Sequence, residues 1–337
     1  MKKKHIALGI GGAVGATIAW KLITRPETVR FEDHTEKLHH PDHSNFTEVD
    51  GISVHYQEFG DKSDPTLVLI HGFTASTYVW KTVAPALAAQ GFHVIAPDLP
   101  GFGYSEKPAW YDYSIGSQSR VIQRLMNRLG VGKATLVGSS YGGAVSMWFA
   151  LDNPERVTKL VLVDAVCNND PKNHPVLRLA EVPGIGEVIT PFLVDSKMFL
   201  KFRMQQTIDK TNHDLITADR IESVQRPIRA ADGHRSVLLT SRNWDADRLV
   251  ADAELIEPPT LLVWGENDKV IPIENGEFLY DRILNSRFVV LRDCGHIPME
   301  EKPEIFVKLV TEFMRDPKGR LAESDSEDIR IEQIHKD

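Results

Sequence analysis

The chain has 337 residues, a formal net charge of −8, 42% apolar residues and 26% charged ones. That suits a globular protein with one large core or two smaller ones. The acidic balance disfavours a nucleic-acid backbone as main partner, since such affinity comes from dense Lys and Arg.

Lys2, Lys3 and Lys4 precede an uncharged run from Ile6 to Trp20, extendable to Ile23 if Lys21 snorkels. Its length lies between a signal-peptide apolar region and a membrane span. Residues 1–24 are therefore read as an uncleaved anchor helix giving membrane association, with a cleaved signal and a secreted or periplasmic protein as the alternative. Trp20 suits an interfacial position. Gly9 and Gly11 imitate a dinucleotide loop, but Val14 stands at the third glycine position and no βαβ unit follows, so that reading is rejected. Residues 25–45 are polar. His34, His39, His40 and His43 cluster there without a structural zinc spacing, so a solvated linker is expected rather than a metal site.

From residue 46 the texture changes. "FTEVDGISVHYQEFG" alternates around Asp50-Gly51 and predicts a β-hairpin. "TLVLI" from Thr66 is a short continuous apolar run, hence a buried strand. "FHVIAPD" from Phe92, "ATLVG" from Ala134, "KLVLVDA" from Lys159, "PTLLVWG" from Pro259 and "RFVVLRD" from Arg287 read the same way. Helix-length segments separate most of them, which predicts an α/β fold: a mostly parallel sheet covered by helices on both faces. The long interval before Thr260 breaks the rhythm and predicts a helical cap. The division is thus a core of 46–165 and 251–316, a cap of 166–250 and a polar, disordered tail of 317–337.

Gly138-Ser139-Ser140-Tyr141-Gly142 fits G-x-S-x-G between a strand and a helix. A strained strand-to-helix turn needs small neighbours so that its serine can point out of the sheet. Ser140 is the candidate nucleophile and Ser139 is packing, with Gly138 and Gly142 supplying room. A serine needs a base and a group to orient that base. His296 follows the last predicted strand, at the edge where open α/β sheets bind ligands. Asp268, in a loop after the preceding strand, is the favoured acid; Asp164 is the rival and Glu266 a more distant one. The oxyanion donors are expected to be the N–H groups of Tyr141 and of Phe73, with Gly72 letting the chain turn.

"HGF" at 71, "DLPGFGYSEKP" at 98, "GSSYGG" at 138, "WGENDKVIP" at 264 and "CGHIPMEEKPEIF" at 294 occur in the order of the α/β-hydrolase superfamily. Over about residues 46–314 the chain resembles its lipase, esterase and C–C-hydrolase branch with a helical cap. The resemblance implies Ser140, Asp268 and His296 as triad, Phe73 and Tyr141 as oxyanion donors, and no metal or cofactor. Epoxide hydrolases and haloalkane dehalogenases are similar but carry aspartate at the Ser140 position. The apolar N-terminus is similar to membrane-associated monoacylglycerol lipases, although Tyr141 stands where those usually have methionine.

The function expected is hydrolysis of a small-molecule or lipid-like carboxylic ester. C–C-bond cleavage of ring-fission products and a cofactor-free perhydrolase are alternatives, and a non-catalytic binding protein comes from another class. Phe192, Leu193, Met198, Phe199, Leu200 and Phe202 give the cap an apolar run, read first as helix packing and second as a lipid site. Arg178, Arg203 and Arg220 are candidates to hold a charged substrate but are expected at the surface. Cys167 and Cys294 cannot form a disulfide framework and are expected as free thiols.

Overall fold

The computed structural model describes residues 24–170, 175–319 and 328–332. The segment read as an anchor lies, but for Thr24, outside them; among the described residues no helix is long and apolar enough to cross a membrane.

The hairpin is β1 (Ser44–Val49) and β2 (Ile52–Phe59). Asp50 and Gly51 both take positive φ, at 50° and 79°, the backbone twist that a two-residue hairpin loop requires. There follow β3 (Thr66–Ile70), α1 (Val83–Ala88), β4 (His93–Pro97), α2 (Ile115–Arg128), β5 (Ala134–Ser139), α3 (Tyr141–Asp152) and β6 (Val157–Val163). Six helices then intervene: α4 (Pro175–Glu181), α5 (Ile185–Asp195), α6 (Lys197–Thr207), α7 (Ala218–Gln225), α8 (Ala231–Arg242) and α9 (Asp247–Asp252). The chain returns through β7 (Thr260–Gly265), α10 (Ile273–Arg282), β8 (Ser286–Leu291), α11 (Pro298–Glu301), α12 (Pro303–Arg315) and β9 (Ile329–Glu332).

One sheet runs in the order β1-β2-β4-β3-β5-β6-β7-β8-β9. The pairs from β4 to β8 are parallel; β1, β2 and β9 join antiparallel at the two edges. Successive side chains of a strand point to opposite faces, and here each face has its own core. Val68, Ile70, Leu136, Leu162 and Trp264 pack with α2 and α3, while Leu67, Leu69, Val137, Val163 and Val263 pack with α1 and α12. Continuous apolar runs were needed because both faces are covered.

Two expectations require correction. The segment 25–45 is docked, not a solvated linker. Phe31 meets the rings of Phe46, His55 and Tyr104 at 5.2–5.5 Å, and the carbonyls of Pro26 and Glu27 accept from Ala231 and Asp232 at the start of α8. His40 bonds the Lys81 carbonyl and His43 stacks on Phe59, so the histidines are spent on local contacts. The tail is likewise not wholly without structure. Ile329 and Ile331 alternate with polar residues, and β9 caps the edge of β8, which an open ladder would otherwise leave to foreign strands.

Candidate active site

Ser140 sits between the last residue of β5 and the first of α3, at φ 54° and ψ −118°. A non-glycine residue pays for such a conformation, and it persists only where the surroundings enforce it. Here the Ser140 N–H donates to the Val163 carbonyl at 2.9 Å and its carbonyl accepts from Val166 at 3.0 Å, pinning it to the end of β6. A Cβ on Gly138 would strike the Gly142 carbonyl and Ser146, and one on Gly142 the Ile70 carbonyl. Both glycines are therefore needed for the turn to close. Ser139 is buried as packing.

The Gly72–Phe73 turn lies against this elbow: a Cβ on Gly72 would come 3.1 Å from that of Ser140. His71 holds the turn. Its Nε2 accepts the Leu99 N–H at 3.0 Å, so Nδ1 carries the proton and donates to the Gly72 carbonyl at 2.8 Å. Burial lowers the His71 pKa, keeping the ring neutral for that dual role. Tyr141 opens α3, so its N–H is among those a helix leaves without an internal partner.

Asp268 and His296 meet through Oδ2 and Nδ1 at 2.7 Å, both buried. The other Asp268 oxygen accepts from the Val270 and Ile271 N–H groups at 2.7 and 3.1 Å, which fixes the carboxylate. His296 Nε2 is left as the nitrogen able to serve a hydroxyl. Strand pairing carries Ser140, at the end of β5, next to β6, β6 next to β7 with Asp268 beyond it, and β7 next to β8 with His296 beyond it. All three thus lie at the carboxyl edge of neighbouring parallel strands.

Asp164, the rival acid, stands beside that pair and is not the partner of His296. Ligand atoms of Asp164, Asp268 and His296 all lie within 4.8 Å of one another, the one such group of His, Cys, Asp and Glu among the described residues. Asp164 Oδ1 accepts the Gly265 N–H at 2.9 Å, and buried Oδ2 has no hydrogen-bond partner. Burial, and then the neighbouring Asp268 charge, raise the Asp164 pKa well above the usual carboxylate range. A metal would have to displace the Asp268–His296 bond. Glu266 is exposed and takes no part.

Several supports carry no local sequence signal. The Thr207 carbonyl, at the end of α6, accepts the His296 N–H at 2.8 Å, so the cap grips the histidine loop. Glu301 accepts the N–H groups of Gly295 and Asp209 at 3.0 and 2.8 Å, joining the same two parts. Trp244 from the cap packs 5.1 Å from the Tyr141 ring and 5.9 Å from that of Phe73, making an aromatic wall at the oxyanion loop. Arg220 is buried, not at the surface: its Nη2 donates to Glu300 at 2.9 Å, and Lys81 joins the same carboxylate at 2.6 Å. Arg178 is exposed, while Arg203 is half-buried, its pKa lowered by burial. In the cap run Leu200 packs against the core, whereas Met198 and Phe202 are 83% and 55% exposed. Cys167 and Cys294 are free and buried; burial pushes the Cys167 thiol up to about 12.

The sequence matches the family described as alpha/beta hydrolase fold over residues 65–185 and 196–303, and the chain belongs to that family of hydrolases. It is 30% identical over 272 residues to the uncharacterized hydrolase YugF of Bacillus subtilis, covering 79% of this chain and 96% of that one. It is 28% identical over 306 residues to 2-hydroxy-6-oxo-6-phenylhexa-2,4-dienoate hydrolase of Comamonas testosteroni, covering 87% and 98%. Among solved structures, a bacterial membrane phospholipase A is similar at a TM-score of 0.68 and 26% identity, covering 93% of this chain and 98% of that one.

Proposed function

We propose that this hydrolase cleaves carboxylic esters with a medium-length or lipid-like acyl group through Ser140, His296 and Asp268. The observation that carries the reading is a strained Ser140 elbow and a buried Asp268–His296 pair at the same carboxyl edge of the sheet. His296 Nε2 takes the Ser140 proton as Oγ attacks the acyl carbonyl, and Asp268 steadies the imidazolium that forms. The N–H groups of Phe73 and Tyr141 receive the oxyanion. The alcohol leaves with the proton from His296, and water activated by the same ring releases the acid. Part-exposed Phe73 on the oxyanion loop, backed by the buried rings of Tyr141 and Trp244, supports an apolar acyl group. Membrane association through residues 1–24 belongs to this proposal; its support is the uncharged run from Ile6 to Trp20 and the likeness to a membrane phospholipase A.

A second reading, C–C-bond cleavage of a ring-fission product, is favoured by the likeness to the Comamonas hydrolase. Against it, Arg220 is committed to Glu300. Initial rates on p-nitrophenyl esters of increasing chain length, on a monoacylglycerol and on 2-hydroxy-6-oxo-6-phenylhexa-2,4-dienoate separate the two. Ester turnover is expected to exceed dienoate turnover in kcat/KM by about tenfold or more, a difference of about 1.4 kcal/mol in transition-state binding. The reverse order would overturn the ester reading.

A further inference from the structure

A small cleft of about 30 Å³ shares no residue with the site above. Three parts of the chain wall it: Lys37 and His39 from the docked N-terminal segment, His55 and Tyr104 from the core, and Ser223 and Arg226 from the cap. No aspartate or glutamate lines it.

Its inner wall is built around a fixed imidazole. His55, 1% exposed, sets Nδ1 on Asp98 Oδ2 at 2.7 Å. Asp98 is itself held by the Thr77 and Tyr104 N–H groups at 2.6 and 2.8 Å. Nδ1 gives its proton to Asp98, so Nε2 is left as a lone-pair acceptor with no hydrogen-bond partner. The Ser223 hydroxyl, on the same cleft, is also buried and without one, while the Tyr104 hydroxyl faces the Arg226 guanidinium. A buried polar group left dry costs about 1–3 kcal/mol, so the His55 nitrogen and the Ser223 hydroxyl on one cleft mark a place for a polar occupant.

The charge of the wall selects its sign. Arg226 is 5% exposed, and its Nε lies 3.9 Å from Glu222 Oε1, too far for a hydrogen bond. Glu222 also meets Lys197 at 3.2 Å, so that acid is shared. The Tyr104 hydroxyl, whose pKa burial raises, is drawn back by the nearby Arg226 guanidinium. A guanidinium beside two hydroxyls matches an anion with several oxygens, and one that also carries a hydroxyl, such as hydrogen phosphate, would meet His55 Nε2.

We propose that this cleft is a second binding site, for a small oxyanion (a carboxylate or phosphate group) clamped between Arg226, Tyr104 and Ser223. Because its walls come from the N-terminal segment, the core and the cap, an occupant ties the cap to the core. The site is independent of the ester-cleaving reading.

Thermal unfolding of the full chain, titrated with inorganic phosphate or acetate at constant ionic strength in a chloride buffer, tests it. A saturable rise in Tm is expected, about 2 °C at ten times Kd, and the anion with the lower midpoint identifies the group preferred. Arg226→Gln is expected to abolish the rise, and Ser223→Ala and Tyr104→Phe each to raise the midpoint about fivefold, whatever their effect on the starting Tm. If Arg226→Gln fails to fold, the two hydroxyl variants decide the matter. No saturable rise beyond chloride means that water alone fills the cleft. An undiminished rise in all foldable variants places the anion elsewhere. Either result overturns the proposal.

Discussion

Replacing Asp164 by asparagine separates the two carboxylates of the site. Asp164 Oδ1 accepts the Gly265 N–H and buried Oδ2 faces Asp268, so a proton is held more tightly on Asp164 than on an ordinary carboxylate. Its folded pKa is raised, first by burial and then by Asp268. Between the unfolded value near 4 and the folded one, the native state holds a proton that the unfolded chain has released. Stability therefore falls as pH rises through that window, by about 1.4 kcal/mol for each unit of separation, and is flat above it. Asparagine keeps the acceptor for Gly265, offers an N–H towards Asp268, tolerates the positive φ of 43° and never ionises. Urea unfolding at pH 4.5 and pH 7.5 should show the variant gaining on the native protein at the higher pH. Its kcat should stay within about threefold, since no transition-state contact is lost. Asp164→Ala, which strips Gly265 of its acceptor, should cost about 1–3 kcal/mol. A difference independent of pH would mean that Asp164 is ionised in the folded protein. Loss of two or more orders of magnitude in kcat with the fold intact would transfer the acid role from Asp268 to Asp164.

Glu300→Gln should cost about 3–5 kcal/mol at pH 7 in chemical denaturation, because it leaves Arg220 and Lys81 as buried cations without a counter-charge. Burial raises the Glu300 pKa, but Arg220 and Lys81 outweigh it and hold the carboxyl below its usual range. Its contribution is thus present above the unfolded value and fades as pH falls through the folded one, so the cost of the substitution should shrink below about pH 4. An equal cost at both pH values would contradict this. Deleting Met1 to Ile23 should move the protein from the membrane to the soluble fraction with kcat on a short-chain ester unchanged; an unaltered distribution would refute the anchor.

The parts legible in the sequence are those that local physics over-determines. Only small residues permit the turn at Ser140, and buried parallel strands must read as apolar runs, so Gly138, Gly142 and the strands from Thr66 to Leu291 stood out. The choice between Asp268 and Asp164 was not decided locally, because both follow strands on the same sheet edge; the neighbouring N–H groups of Val270 and Ile271 distinguish them only in three dimensions. Thr207, Glu301 and Trp244 act across the gap between cap and core, where sequence spacing carries no information. Arg220 looked like a surface residue because Glu300, 80 positions away, was needed to explain its burial. The segment around Phe31 was polar enough to read as a linker, yet one aromatic ring against His55 and Tyr104 docks it. In the tail, Ile329 and Ile331 were outvoted by their acidic surroundings.

Labelling of the full chain with a fluorophosphonate, followed by peptide mass spectrometry, tests the central claim most directly. A single adduct on Ser140 is expected, with labelling and ester hydrolysis both lost in Ser140→Ala. An adduct on another serine, or ester hydrolysis surviving in that variant, would contradict it.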